Sequence, residues 1–320
     1  MARDEAWLLS RLARGPCSGD ELARELTLTR SGVWKRIGAL REAGVEIVAE
    51  RGRGYRLARP VVLLDADAIE RQLPPPARSC LSRLEVVWET DSTNARLLAA
   101  PAPVAGCRVL LAERQSAGRG RRGRAWVSPL AANLYFSVSR RFHTPLARMG
   151  GLSLAVGVAL AEAVAALGVS GAGVKWPNDL VIDGRKLGGL LVESRGEAAG
   201  GFRVVIGLGL NVHMRAAEGI DVAWTALAEH LPQRPSRTQL AAAIGRVIVE
   251  TCRSLEMQGF QPFLPRFAKL DVLAGRPVRV SGNPTLEGTA CGINQDGALL
   301  VDSGGKRHAV HAGDVSVRPA

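Results

Sequence analysis

Apolar positions in the first 60 residues recur with the period of short helices. Leu8, Leu9, Leu12 and Ala13 make one stripe, which Gly15-Pro16 ends. Ser18 with Glu21 three residues on reads as a capping box that opens a second helix carrying Leu22 and Leu26. After the turn Thr27-Leu28-Thr29, a third helix turns Val33, Ile37 and Leu40 inward and Arg30, Ser31, Trp34, Lys35 and Arg41 outward. Gly44 stops it, VEIVAE alternates as a strand, ERGRG turns and YRL returns. Three helices and a basic hairpin predict a winged helix-turn-helix over residues 1–60.

The pattern then changes. Residues 61–80 read as a linker with a short helix over 67–73 and an extended run Pro74-Pro75-Pro76. From 81 to 271, strand-like runs (LEVVWET, CRVLLAER, NLYFSVSR, GVKWPN, GLLVES, FRVVIGLGL) alternate with helices expected at 93–100, 148–168 and 237–257. That predicts a mixed-sheet α/β domain. Residues 272–320 hold short strands punctuated by SGNP, Asp296-Gly297 and Ser303-Gly304-Gly305, the pattern of a small β-barrel. The fold class is therefore a multidomain α+β chain.

With 47% apolar and 22% charged residues, disorder and fibrous architectures are excluded. The longest apolar stretch, 150–174, is cut by Glu162, and charges occupy the N-terminus where a signal peptide would need an apolar core. A cytoplasmic chain with no membrane contact is expected. Cysteines 17, 80, 107, 252 and 291 are scattered without a CxxC pair, and His143, His213, His230, His308 and His311 lack metal-ligand spacing. Neither a disulfide framework nor a tightly bound metal is indicated, and no Ser-His-Asp or cysteine nucleophile stands out. The net charge of +12 favours phosphates as partners, yet only five of the 42 cations are lysine, so compositional drift towards arginine can account for much of it. Position has to decide. On the third helix, Arg30, Ser31, Trp34 and Lys35 are placed to enter a major groove, while Arg51 and Arg53 on the hairpin tip reach phosphates. Small three-helix units also mediate protein contacts. Gly32 weakens the helix, and Trp34 either meets a thymine methyl or packs on the wing.

The densest chemical signal is SAGRGRRGRAW, 116–126. Gly118, Gly120 and Gly123 satisfy GxGxxG, but RAWVSPL with Pro129 opens no helix to hold a pyrophosphate, so a dinucleotide fold is rejected. Glycines let amides close on an anion while Arg119, Arg121, Arg122 and Arg124 supply charge. Four guanidinium groups repel one another, and the loop is expected to order around a polyanion. Standing alone, it would read equally as a basic surface loop.

Together with ETDSTN (89–94), AERQSAGRGRRGRAWVSP (112–129), NLYFS (133–137), KWPNDL (175–180), RKLGGLLVE (185–193) and GLGLNV (207–212), this loop resembles the ordered motif set of biotin protein ligases. With a winged helix in front and an SH3-like barrel behind, nearly the whole chain is similar to the bifunctional class that also represses biotin biosynthesis. One departure is Ala131, where that family usually has glycine; a positive φ there would be strained.

The resemblance implies two-step acyl transfer. Biotin and MgATP give biotinyl-5′-AMP, and a lysine of the biotin carboxyl carrier protein of acetyl-CoA carboxylase takes the biotinyl group. It implies that Lys186, Arg121 and Arg124 are catalytic, with Lys186 contacting the biotin carboxylate and the α-phosphate. Biotin would be held by Ser92, Thr93, Asn94, Gln115, Arg119, Gly120, Arg121 and Lys186. ATP would be held by Gly118, Arg119, Arg121, Arg124, Asn178, Asp179, Lys186, Asn211, Trp224 and Arg318, with Asp179 a candidate Mg²⁺ ligand. Operator DNA and an adenylate-bound homodimer are the remaining implied partners. On the residues alone, plainer readings stand beside these. Ser92-Thr93-Asn94 is also an ordinary helix cap, Pro-Asn-Asp is good turn chemistry, Trp224 is also a core residue, and Lys175 is a rival cation or a structural one. Two other functions are weighed: a biotin-sensing regulator without transferase activity, which would not need the Arg-Gly loop and Lys186, and a lipoate or octanoate transferase relative, which would lack GRGRRGR and a DNA-binding unit.

Overall fold

The computed structural model describes residues 2–142, 149, 151–196, 202–216, 218–281, 285–313 and 317–319. Its N-terminal unit is α1 (Ala2–Ala13), α2 (Gly19–Glu25), α3 (Arg30–Glu42) and the antiparallel hairpin β1 (Ile47–Glu50)–β2 (Gly54–Leu57). Ser18 and Glu21 form the expected reciprocal cap, and Thr29 caps α3 by accepting from the Gly32 amide. Leu8, Leu9, Leu22, Val33, Ile37 and Leu40 fill the core. That core is completed from outside the unit. Leu130 and Ala131, from the segment after the Arg-Gly loop, belong to the same apolar cluster, and the Leu130 amide donates to the Ala43 carbonyl at 2.9 Å. Ala131 has φ +55°, so the suspected strain is present: a left-handed alanine costs roughly 1–2 kcal/mol, held in place by burial and by its amide bond to the Glu113 carbonyl.

Residues 61–80 do more than link. Here α4 (Ala66–Gln72) and α5 (Pro75–Arg78) place Leu64, Ile69, Leu73 and Ala77 in the main core of the following domain. Only Pro74 of the proline run is extended: Pro75 and Pro76 start α5, positions where a missing N–H costs nothing. Arg78 then caps carbonyls of Glu70 (3.0 Å) and Arg71 (2.6 Å).

The central sheet has seven strands: β3 (Leu81–Thr90), β4 (Cys107–Gln115), β5 (Leu134–Phe142), β6 (Ala172–Lys175), β7 (Asp179–Ile182), β8 (Arg185–Gly196) and β9 (Phe202–Leu210). Their order is β3-β4-β5-β9-β8-β7-β6, parallel only at β3–β4, where α6 (Thr93–Ala99) makes the crossover. Pro177 and Asn178 turn the chain between β6 and β7, as Pro-Asn-Asp suggested, but Asp179 is already the first residue of β7, paired to Lys175 and Gly189. One sheet face is covered by α7 (Leu152–Ala166) and α8 (Arg237–Gln258), with α9 (Leu264–Leu270) beside α7. On the other face, α6 packs Leu97 against Leu110 and Val205. The neighbouring positions on that face are Leu191 and the glycines 189, 207 and 209, whose absent side chains leave a floor.

The C-terminal strands β10 (Pro277–Val280), β11 (Leu286–Ile293), β12 (Leu299–Ser303), β13 (Lys306–Val310) and β14 (Val317–Pro319) form an antiparallel sheet of order β13-β12-β11-β10-β14. It shares the main core through Val278, Val280, Leu299 and Val317, and the buried Trp176 indole donates to the Gly297 carbonyl at 3.0 Å. No described helix is long and apolar enough to cross a membrane.

Candidate functional site

The glycine floor opens into a cavity of about 480 Å³. Its walls come from the α6 N-terminus (Ser92, Thr93, Asn94), the end of β4 (Gln115), the Arg-Gly loop (Arg119, Gly120, Arg121, Arg122, Arg124, Trp126), the β6–β7 corner (Lys175, Asn178, Asp179), Lys186 on β8, Asn211 and the 219–224 segment ending in Trp224. Residues far apart in sequence thus meet at one place. Gly118 is not among the lining residues; it packs where a methyl would strike the Trp126 carbonyl at 2.7 Å, a spacer rather than a contact. Val317 lines the cavity from β14, but the side chain of Arg318 lies outside the described residues, as do His143 and part of the SGNP turn.

The Arg-Gly loop takes its shape from its own backbone. Gly120 donates to the Arg124 carbonyl (2.7 Å) and Trp126 to the Gly118 carbonyl (2.8 Å), closing a narrow hairpin around a single turn at Arg121–Gly123. Arg121 leaves this hairpin to donate from Nη2 to the carbonyls of Ala312 (2.9 Å) and Gly313 (2.7 Å), and from Nη1 to Asn178 Oδ1 at 3.4 Å. Self-repulsion is thereby relieved: one guanidinium is held by carbonyl dipoles of the segment that follows β13, and Arg122 and Arg124 are exposed.

Lys186 Nζ lies 2.7 Å from Asp179 Oδ1, each side chain about one quarter exposed, and 5.5 Å from the centre of the Trp126 ring. Its backbone is pinned from the other side: the Lys186 amide donates to Ala223 (2.8 Å), its carbonyl accepts from Thr225 (2.9 Å), and Asn211 Nδ2 donates to the Thr225 carbonyl (3.1 Å). That bridge brings Trp224 beside Lys186. Asn211 therefore holds the strand pair that carries the lysine, a job its motif did not suggest. The lining residues carry six cations (Arg119, Arg121, Arg122, Arg124, Lys175, Lys186) against the carboxylates Asp179 and Asp221, so the cavity attracts anions.

The opposite end is neutral. Thr93 donates from both its amide (2.9 Å) and hydroxyl (3.1 Å) to Gln115 Oε1, and the Gln115 amide nitrogen donates to the Ser128 hydroxyl at 3.5 Å. Asn94 donates to Glu193 Oε2 (2.8 Å) and the Leu191 carbonyl (3.1 Å) and accepts from Ser137 (2.6 Å), so it braces the wall. A neutral cyclic urea fits donors of this kind better than a charge would. Trp126, Ser137 and Glu193 join the site without a role expected from the sequence. Trp126 was within reach, since it ends the densest motif; its indole lies over Gly209, where a methyl would overlap it, and its Nε1 is buried without a partner. Ser137 and Glu193 carry no local signal, because their role exists only once β5 and β8 meet α6. Among the described residues no group of three His, Cys, Asp or Glu side chains could hold a metal, and burial pushes the His213 ring down to about 4, keeping it neutral.

Three family models match in the order of the domains: an HTH domain at residues 7–56, the Biotin/lipoate A/B protein ligase family at 89–211, and the Biotin protein ligase C terminal domain at 274–318. The chain is 38% identical to the bifunctional ligase/repressor BirA of Salmonella typhimurium, over 98% of this chain and 97% of that protein. It belongs to the bifunctional biotin protein ligase/repressor family. A second relative, BirA of Escherichia coli (strain K12), is 37% identical over the same shares. Among solved structures, biotin protein ligase from Aquifex aeolicus in complex with biotin and ATP superposes with a TM-score of 0.64 at 26% identity, covering 75% of this chain and all of that one. Membership in a ligase/repressor family accounts for two features of the molecule: a cationic cavity in the central domain and an HTH unit in front of it.

Proposed function

We propose that this chain joins biotin to ATP in the central cavity, passes the biotinyl group to a lysine of a biotin carboxyl carrier protein, and represses transcription from operator DNA when the adenylate is bound. The observation that carries the reading is the convergence of Lys186, the Arg-Gly loop and the Thr93–Gln115 pair on one cavity.

The first step must bring a carboxylate against a triphosphate, and their repulsion is the barrier the protein can lower. The neutral ureido ring docks at Thr93 and Gln115, placing the carboxylate near Lys186. A carboxylate oxygen attacks the α-phosphorus, the P–O bond to the β-phosphate breaks, and pyrophosphate leaves. Lys186, with Asp179 aiming its ammonium, and Arg121 and Arg124 at the mouth balance the charge that develops, while Trp224 offers a face for the adenine. Magnesium suits this donor set only as a companion of the triphosphate, with Asp179 contributing one carboxylate and substrate oxygens the rest; bound so, it would neutralise phosphate charge. In the second step the carrier lysine amine attacks the anhydride carbonyl, AMP leaves, and the amine gives up its proton. The direct test is acceptor mass after incubation with biotin, MgATP and a carrier domain; no mass gain would reject transferase activity and favour a pure sensor.

Arg121→Gly is expected to release biotinyl-AMP faster. It removes one cation and the loop's tie to Ala312 and Gly313, and it adds chain entropy. Equal adenylate retention by variant and parent, read by filtration, would contradict this. DNA binding is expected to fall steeply with salt and to rise with biotin plus ATP, through an adenylate-driven homodimer on a palindrome. Binding measured by anisotropy that ignores the ligand would remove the repressor half of the proposal.

A further inference from the structure

On α3 the sequence left Trp34 two uses, and the structure removes one. Its side chain is 63% exposed, while Val33, Ile37 and Leu40 of the same helix are buried, so it does not pack on the wing. Long side chains on a helix lean towards its N-terminus. The indole therefore covers the turn bearing Arg30 and Ser31, the end of such a helix that meets base edges. The polar groups there already have partners. Arg30 pairs with Asp20 at 2.9 Å, and the Ser31 hydroxyl is 3.0 Å from that of Thr29. One turn further on, Gly38 presents no side chain, and the space a methyl would fill is open. The indole ring presents an apolar face, and around it the unit exposes Lys35 and the wing residues Arg51 and Arg53. An apolar face in a cationic setting suits duplex DNA better than an acidic or apolar protein surface.

Resting on the DNA-binding reading above, we infer that Trp34 is the principal specificity residue of the reading head and that it recognises the thymine 5-methyl group. That methyl is the apolar group that base edges present in the major groove. Lys35, Arg51 and Arg53 supply affinity through phosphates, and Trp34 supplies the choice of sequence.

The test uses the full chain with biotin and MgATP. A site is first selected from a random duplex library, then every thymine in it is replaced singly by uracil and affinities are measured by fluorescence anisotropy. The wild type is expected to lose about fourfold at one position in each half-site, the worth of one buried methyl. Trp34→Ala should bind the thymine duplex more weakly and no longer distinguish it from the uracil duplex, Trp34→Phe should keep part of the distinction, and Arg51→Ala should weaken both duplexes in equal proportion. Wild-type indifference to every uracil, or a thymine preference that survives Trp34→Ala, overturns the inference while DNA binding stands. Selection of no duplex at all overturns the DNA-binding reading and this inference with it. A change in self-association on Trp34→Ala without any change in thymine preference also overturns it.

Discussion

Biotin-dependent ATP–pyrophosphate exchange should fall by at least about 10²–10³-fold in Lys186→Ala, the usual loss when one preorganised charge-stabilising group is removed. The fold should survive, because what ties this residue into the sheet is its backbone, bonded to Ala223 and Thr225, and its side chain reaches into the cavity without core contacts. Asp179, left without its partner, stays partly solvated and tolerates the change. Exchange assays with labelled pyrophosphate, paired with a thermal melt, separate the two effects. Undiminished exchange in a folded variant would strip Lys186 of its role and leave Lys175 as the cation to examine.

The largest effect on stability is expected at a pair outside the cavity. Arg237, at the start of α8, and Glu113, near the end of β4, meet at 2.7 Å with side chains only 2% and 3% exposed. Arg237 also donates to the carbonyls of Val62 (2.7 Å) and Asn133 (3.2 Å), and Glu113 accepts from the Leu64 amide at 2.5 Å. Arg237→Ala strands a buried carboxylate and should cost about 3–5 kcal/mol, whereas Glu113→Gln with Arg237→Met, which removes both charges and keeps the volume, should recover most of that. Urea denaturation of the two variants checks the difference. Equal stability of Arg237→Ala and the parent would mean that solvent reaches the pair.

The fold was legible in the sequence where the cause of a structure is local. The Ser18–Glu21 cap, the apolar face of α8 and the glycine-spaced arginines are written in residues three or four apart. The cavity was legible for a related reason: its parts are short motifs whose residue types suit anions at one end and a neutral ring at the other. What escaped depends on distant partners. Prolines 75 and 76 became helical because Leu73 and Ala77 had a core to enter. Strand β7 is four residues long and exists only between its neighbours β6 and β8. Glu113 and Arg237, 124 positions apart, carry no local signal of the burial that pairs them.

Leu130 and Ala131 fill a gap between the helices of the DNA-reading unit, so residues 1–60 do not own all of their interior. Cut free, that segment would present an unfilled notch to water and should be a poor autonomous module. Grafting it onto another enzyme would fail for the same reason, unless the notch were closed with a substitute pair of apolar residues.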